Sequence, residues 1–193
     1  MRQPESFLID VLTTSTYDHG CVPTPIHQQY CKTVTGGSAR FMEKKEKVGD
    51  FSLPCTGGKT FQLSMAKDKF VVLYFYPKDN TPGCTTEGAQ FRDRYPEFRK
   101  LGCGIYGVSR DSLKSHEGFK AKLGFPFDLL ADTEEKACGQ FKVIKMKNLY
   151  GKQVRGIERS TFVLDRERVI RREWRGVKVP GHVQEVFDFV KTL

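Results

Sequence analysis

A chain of 193 residues and 22.0 kDa is long enough for one good core and too short for two ordinary ones. Its composition is 38% hydrophobic with 15 Phe, neither disordered nor membrane-embedded, and its longest apolar run, Phe70–Tyr76, is far short of a membrane-spanning helix. A formal charge of +9 would attract anions, nucleic acid included, but the basic residues are scattered among Asp and Glu, as in DRERVIRRE, which reads as a solvated surface.

Residues 1–41 stand apart. Their charges cancel, they are rich in Thr, Gln, Pro and Gly, and they show no sustained hydrophobic period. They read as a loosely ordered extension or as a stretch upstream of a natural start at Met42, and the second is favoured. The stretch is neither Arg-rich nor acid-poor, unlike a transit peptide, and Asp10 interrupts Phe7-Leu8-Ile9 too soon for a secretory signal. The folded domain is expected over 42–193.

From Val48 onward strands and helices alternate. Lys59–Leu63 follows Gly57-Gly58 and reads as the second arm of a hairpin. Phe70–Tyr76 has the continuous apolarity of a strand buried on both faces. Phe91, Tyr95, Phe98 and Leu101 recur at helical spacing, with Pro96 expected to kink the helix and Gly102 to cap it. Ile105–Ser109 reads as a strand, Asp111-Ser112 as a cap for a helix ending at Gly124, and Phe127–Leu130 as a short strand. Thr133 with Glu134-Glu135 predicts another helix start. Thr161–Leu164 and Val169–Trp174 flank a turn as a second hairpin. Val183, Val186, Phe187 and Val190 line a last helix opened by Pro180-Gly181. Parallel βαβ units flanked by hairpins imply an α/β fold, a mixed central sheet flanked by α-helices.

Two glycine patterns mislead. Gly102-Cys103-Gly104-Ile105-Tyr106-Gly107 matches a dinucleotide fingerprint letter by letter, but it follows a helix and runs into a strand, the reverse of the required order. Gly58-Lys59-Thr60 resembles the end of a phosphate loop, yet no helix follows. No cofactor is expected. The six cysteines, at 21, 31, 55, 84, 103 and 138, form no C-x-x-C pair, so neither a structural zinc site nor a dithiol motif is expected. Several sit in apolar or glycine-rich contexts that suit free thiols, which implies a reducing, cytoplasmic address.

The informative stretch is Pro77-Lys78-Asp79-Asn80-Thr81-Pro82-Gly83-Cys84-Thr85-Thr86-Glu87. It leaves the buried strand and enters a helix, which puts Cys84 in the first turn, where unpaired backbone N–H groups and the positive dipole end favour a thiolate. Lowering a thiol pKa from about 8.5 to about 6 raises its thiolate fraction at neutral pH roughly thirtyfold, about 2 kcal/mol. That is too little for an efficient enzyme, so further donors are needed, each worth about 10²–10³ in rate. Thr81 can offer a hydroxyl, and Pro77 can wall off water without a competing N–H.

The spacing Pro77, Thr81, Cys84 is the peroxiredoxin signature, and YFYPKDNTPGCTTEG resembles its bacterioferritin-comigratory-protein, or Q-type, branch. GVSRDSLKSHEGF, YGKQVRGIERSTFVLD and WRGVKVPGH agree with that resemblance, which spans about Val48 to Leu193. It implies a thioredoxin-like fold and reduction of hydrogen peroxide and organic hydroperoxides, for antioxidant defence. By the same resemblance Cys84 is the attacking cysteine, Thr81 and Arg159 bond the peroxide and thiolate, and Pro77 shields them. Glu87 and Trp174 fall on family-like positions with expected roles in local bonding and packing. Members that form an internal disulfide carry their second cysteine at positions that correspond to Ala89 or Lys120 here. The chain therefore resembles a one-cysteine variant recycled by thioredoxin, glutaredoxin or glutathione, with Cys55, Cys103 and Cys138 left as candidate atypical partners. The branch implies a monomer, while the short apolar run and the interleaved charges imply no membrane and no specific nucleic acid. The competing reading is a basic module that binds nucleic acid or another polyanion on the same fold.

Overall fold

The computed structural model describes residues 46–149 and 151–193, so the expectations for residues 1–41, Cys21 and Cys31 among them, lie outside the described residues. Among the described residues nine strands and four α-helices follow in chain order: β1 (Ser52–Cys55), β2 (Lys59–Gln62), β3 (Phe70–Phe75), α1 (Pro82–Lys100), β4 (Cys103–Ser109), α2 (Leu113–Leu123), β5 (Asp128–Ala131), α3 (Lys136–Gln140), β6 (Ile144–Leu149), β7 (Lys152–Ile157), β8 (Ser160–Asp165), β9 (Ile170–Trp174) and α4 (His182–Val190).

Seven strands form one sheet in the order β2-β1-β5-β4-β3-β8-β9. The pairs β3–β4 and β4–β5 are parallel, each joined through a helix, while the flanking pairs are antiparallel. The expected mixed sheet is therefore present. β3 sits near its middle, and the two-residue period of a strand sends its side chains to two separate cores. Val71, Leu73 and Phe75 pack with Phe51, Phe61, Phe141 and Phe162. Val72, Tyr74 and Tyr76 pack with Phe91, Phe98, Phe119, Val183 and Phe187, under α1, α2 and α4. Among the described residues no helix is long and apolar enough to cross a membrane.

Several local expectations hold. Ser112 caps α2 by accepting from the amide of Ser115, and Gly124 ends it in the left-handed region at φ 64°. Val183, Val186, Phe187 and Val190 are the buried stripe of α4. The Gly102–Gly107 run enters β4 from the end of α1, as its rejection as a dinucleotide motif requires.

α1 runs from Pro82 through Pro96 to Lys100, with Pro96 on the exposed side. Other expectations are corrected. The start of α3 belongs to Asp132, not to Thr133: its carboxylate accepts the amides of Lys136 and Cys138, both at 2.7 Å. Glu135, the residue before the helix, is itself left-handed at φ 58°. The β6–β7 hairpin was not foreseen. It pairs only with itself and carries exposed Met146 and Val154, so it lacks the apolar contrast that makes a strand legible.

Candidate active site

β3 delivers the chain into the loop 76–81, and that loop is fixed by a buried polar network. Asp79, 5% exposed, accepts from the Tyr76 hydroxyl at 2.8 Å and from the Ser115 hydroxyl at 2.7 Å. Its Oδ2 also lies 2.9 Å from Nδ1 of the fully buried His116, whose Nε2 lies 3.2 Å from the Leu130 carbonyl. The backbone amide of Asp79 donates to Asp111 at 2.8 Å. Burial works against the Asp79 anion, but the bonds from His116, Ser115 and Tyr76 hold its carboxyl below the ordinary range. The network ties the loop to α2 and leaves Asn80 left-handed at φ 57°, a conformation asparagine tolerates.

The loop ends at Thr81, the N-cap of α1, with Pro82 in the first helical position, where its missing N–H costs nothing. Cys84 therefore lies in the first turn, as its sequence context predicts, and is 1% exposed. Its sulfur accepts a hydrogen bond from Arg159 Nη2 at 3.2 Å. Nη1 of the same guanidinium pairs with the carboxylate of Glu87. Gly83 leaves this approach uncrowded, because a Cβ there would meet Arg159 Nη2 at 3.2 Å. Arg159 reaches the site through sheet register. Ser160 pairs with Phe75, so the residue just before β8 arrives where β3 hands over to the loop. Its carbonyl takes the Val177 amide at 2.9 Å.

Of the four sequence-predicted residues, the structure thus brings Cys84 and Arg159 into contact. Thr81 sits at the helix mouth, but its hydroxyl donates to the Lys78 carbonyl at 3.0 Å instead of to sulfur. Pro77 is half-buried immediately after Tyr76. Glu87, assigned only a local role from sequence, proves to be a buried member of the site. Its spacing of three from Cys84 on one helix face was the available signal. Its carboxyl is completely buried, and Oε1 has no partner. Burial pushes Glu87 up to about 7, although Arg159 beside it pulls the other way. Burial likewise lowers Arg159, but Glu87 and Cys84 outweigh it and hold the guanidinium firmly charged.

Behind Arg159, His182 Nε2 lies 2.8 Å from the Thr161 hydroxyl. Burial pushes His182 down to about 4, so it is neutral at physiological pH. Trp174 packs edge-on against that ring and donates to Glu185 at 2.8 Å, the packing role its position suggested.

The remaining described cysteines, Cys55, Cys103 and Cys138, are free and buried. Ala89 is half-buried on α1, and Lys120 pairs with Asp128 at 2.5 Å, which staples α2 to β5.

Residues 45–173 match the AhpC/TSA family. Peroxiredoxin Bcp of Xanthomonas campestris pv. campestris is 53% identical over 142 residues, covering 74% of this chain and 89% of that protein. Peroxiredoxin Bcp of Bacillus subtilis is 47% identical over 152 residues, covering 79% of this chain and 97% of its own. A solved structure of the Xanthomonas campestris bacterioferritin comigratory protein, described for its alkyl peroxide reduction activity, superposes with a TM-score of 0.70. It is 51% identical and covers 74% of this chain and 90% of that one.

Proposed function

The chain belongs to the AhpC/TSA family as a peroxiredoxin of the Bcp/Q type, and on that premise we propose that Cys84, Arg159, Thr81 and Pro77 carry its chemistry. It is a thiol peroxidase, with hydroperoxides as substrates and thiols as reductants. The observation that carries the assignment of residues is the Arg159 guanidinium 3.2 Å from a cysteine sulfur in the first turn of α1.

In the proposed cycle the Cys84 thiolate attacks one peroxide oxygen. An S–O bond forms, the O–O bond breaks, sulfur is oxidised by two electrons, and the departing oxygen leaves as alkoxide or hydroxide to be protonated. Arg159 supplies a fixed, permanently charged donor to the thiolate and to the oxygen being transferred. The Thr81 hydroxyl, at the mouth of the helix, turns from Lys78 toward the peroxide. Pro77 adds no N–H to compete for the sulfur. A thiol then condenses with the sulfenic acid, releasing water and forming a mixed disulfide, and a second thiol attacks that bond and restores Cys84.

With Ala89 and Lys120 at the family's second-cysteine positions, the thiols come from outside: thioredoxin, glutaredoxin or glutathione. The relative's alkyl peroxide activity supports organic hydroperoxides as well as hydrogen peroxide as substrates here. The buried free thiols favour a reducing compartment, the cytoplasm, and the reading includes a folded domain over 42–193 acting as a monomer. The test is intact mass after one equivalent of hydrogen peroxide. Wild type should gain one oxygen within seconds and Cys84→Ser none. A wild type whose mass does not change, or a change that survives in Cys84→Ser, would overturn the assignment, while a loss of two hydrogens would mean an internal disulfide to Cys84.

A further inference from the structure

Two groups able to carry negative charge share one cation inside this site. Arg159 donates through Nη2 to Cys84 and through Nη1 to Glu87. Among the described residues no second cation is hydrogen-bonded or ion-paired with either. Were both ionised, the buried cluster would hold a net negative charge away from water, which is costly. Keeping a proton on one of the two groups leaves the cluster neutral beside the guanidinium.

The surroundings indicate where that proton rests. Glu87 is fully buried and its Oε1 has no partner. An unsolvated, unpartnered oxygen penalises a carboxylate more than a neutral acid, because the anion forfeits more hydration. The groups that face Glu87 are Tyr74 from β3 and Arg159 from ahead of β8, and Cys84 meets it through that shared guanidinium. Tyr74 is also buried with an unpartnered hydroxyl, and burial keeps it protonated. His182, from the start of α4 beyond Arg159, is neutral and adds no charge.

We propose that Glu87 is the proton reservoir of the peroxide reaction: it holds a proton while Cys84 is a thiolate and gives it up when Cys84 becomes a sulfenic acid. The inference rests on the reading of Cys84 as the attacking sulfur. The balance is thiolate plus Glu87 carboxylic acid plus ROOH giving sulfenic acid plus Glu87 carboxylate plus ROH. The sulfur loses two electrons to the O–O bond, the departing alkoxide gains one proton from solvent, and Glu87 returns one to solvent. The charge on Arg159 is balanced before the step by sulfur and after it by the carboxylate, so below about pH 7 the buried cluster is neutral both before and after it. Glu87 touches Arg159 and not the reacting atoms, which makes it a positioning residue for charge.

Proton counting tests this. Reduced protein in weak buffer is mixed with one equivalent of hydrogen peroxide, with a pH indicator reporting protons and ultraviolet thiolate absorbance referenced to Cys84→Ser. The two pH values, about 6 and about 8, bracket the Glu87 value of about 7. At about pH 6 wild type should lose its thiolate signal with no net proton uptake, and at about pH 8 uptake should approach one per Cys84. Glu87→Gln should take up one proton at both, since nothing is left to release one. Full uptake by wild type at the lower pH, absence of a thiolate signal there, or no uptake by either protein at either pH would overturn the proposal. The last outcome would mean that the charge stays on a sulfenate oxygen. Should the variant fail to fold, the pH step in wild type decides alone. A Cys84 that gains no oxygen by mass overturns the peroxidase assignment, and this inference falls with it.

Discussion

Four cysteines of this domain are buried and free, and their surroundings divide them. Cys103, at the start of β4, is pushed up to about 12 by burial and then by Asp68. Cys138, inside α3, is raised by burial and by Asp132, the carboxylate that opens its helix. Cys55, in β1, is raised by burial and by Asp128. Each of these three feels a carboxylate, whereas Cys84 receives a guanidinium hydrogen bond. Burial by itself makes a thiol inert, because it penalises the anion that reacts. At Cys84 the burial comes with a fixed cation, and a low dielectric strengthens that pairing. The same residue type thus serves as packing in three places and as a candidate nucleophile in one.

The contrast is broken most directly by removing the thiols on one side of it. A triple Cys55→Ala, Cys103→Ala, Cys138→Ala variant should be oxidised at Cys84 and turned over by an added thiol as wild type is, while Cys84→Ser loses all peroxidase activity. Normal oxidation with lost turnover would show one of the three to be a resolving thiol and break the division. Next in size is Arg159→Met, which keeps the apolar stem but not the charge. Peroxide reactivity should fall about 10²–10³-fold by stopped-flow. Stability should fall as pH rises above about 7, because ionising Glu87 then leaves a buried charge without its partner. Adding Glu87→Gln should restore the stability but not the rate, which separates the two roles of the arginine.

The smallest effect concerns Glu87 alone. Its value in the folded protein, about 7, lies above the ordinary 4.5, so between them the native state holds a proton that the unfolded chain has released. Stability from this group is complete below about 4.5 and is lost as pH rises through 7, by roughly 3 kcal/mol in all. Glu87→Gln has no such loss, so its urea midpoint should gain on wild type over that window. His182, shifted the opposite way, costs stability as pH falls from 6.5 toward 4, but it is common to both proteins and cancels in the difference. A constant offset between the two proteins would show that Glu87 keeps an ordinary carboxyl.

Much of the architecture could be read along the chain. The apolar run of β3, the Ser112 and Gly124 caps of α2 and the buried stripe of α4 are local signals, each set by a few neighbouring residues. So is the placement of Cys84 after a strand and inside a first helical turn. Arg159 was found only by resemblance, since nothing in its own neighbourhood marks it. Glu87 and Arg159 lie 72 residues apart in sequence, and Asp79 and His116 lie 37 apart.

What the sequence alone determined is the order of elements, the two-faced character of β3 and the chemistry available in the loop after it, because periodicity and capping are short-range interactions. What only the tertiary structure decided is which charges meet. Antiparallel insertion of β8 beside β3 in the register Phe75–Ser160 carries a guanidinium to the helix mouth. Packing of α1 on the sheet buries Glu87 against it. Sharing one cation between two acids is a property of three-dimensional proximity in a low-dielectric interior, which no one-dimensional pattern encodes.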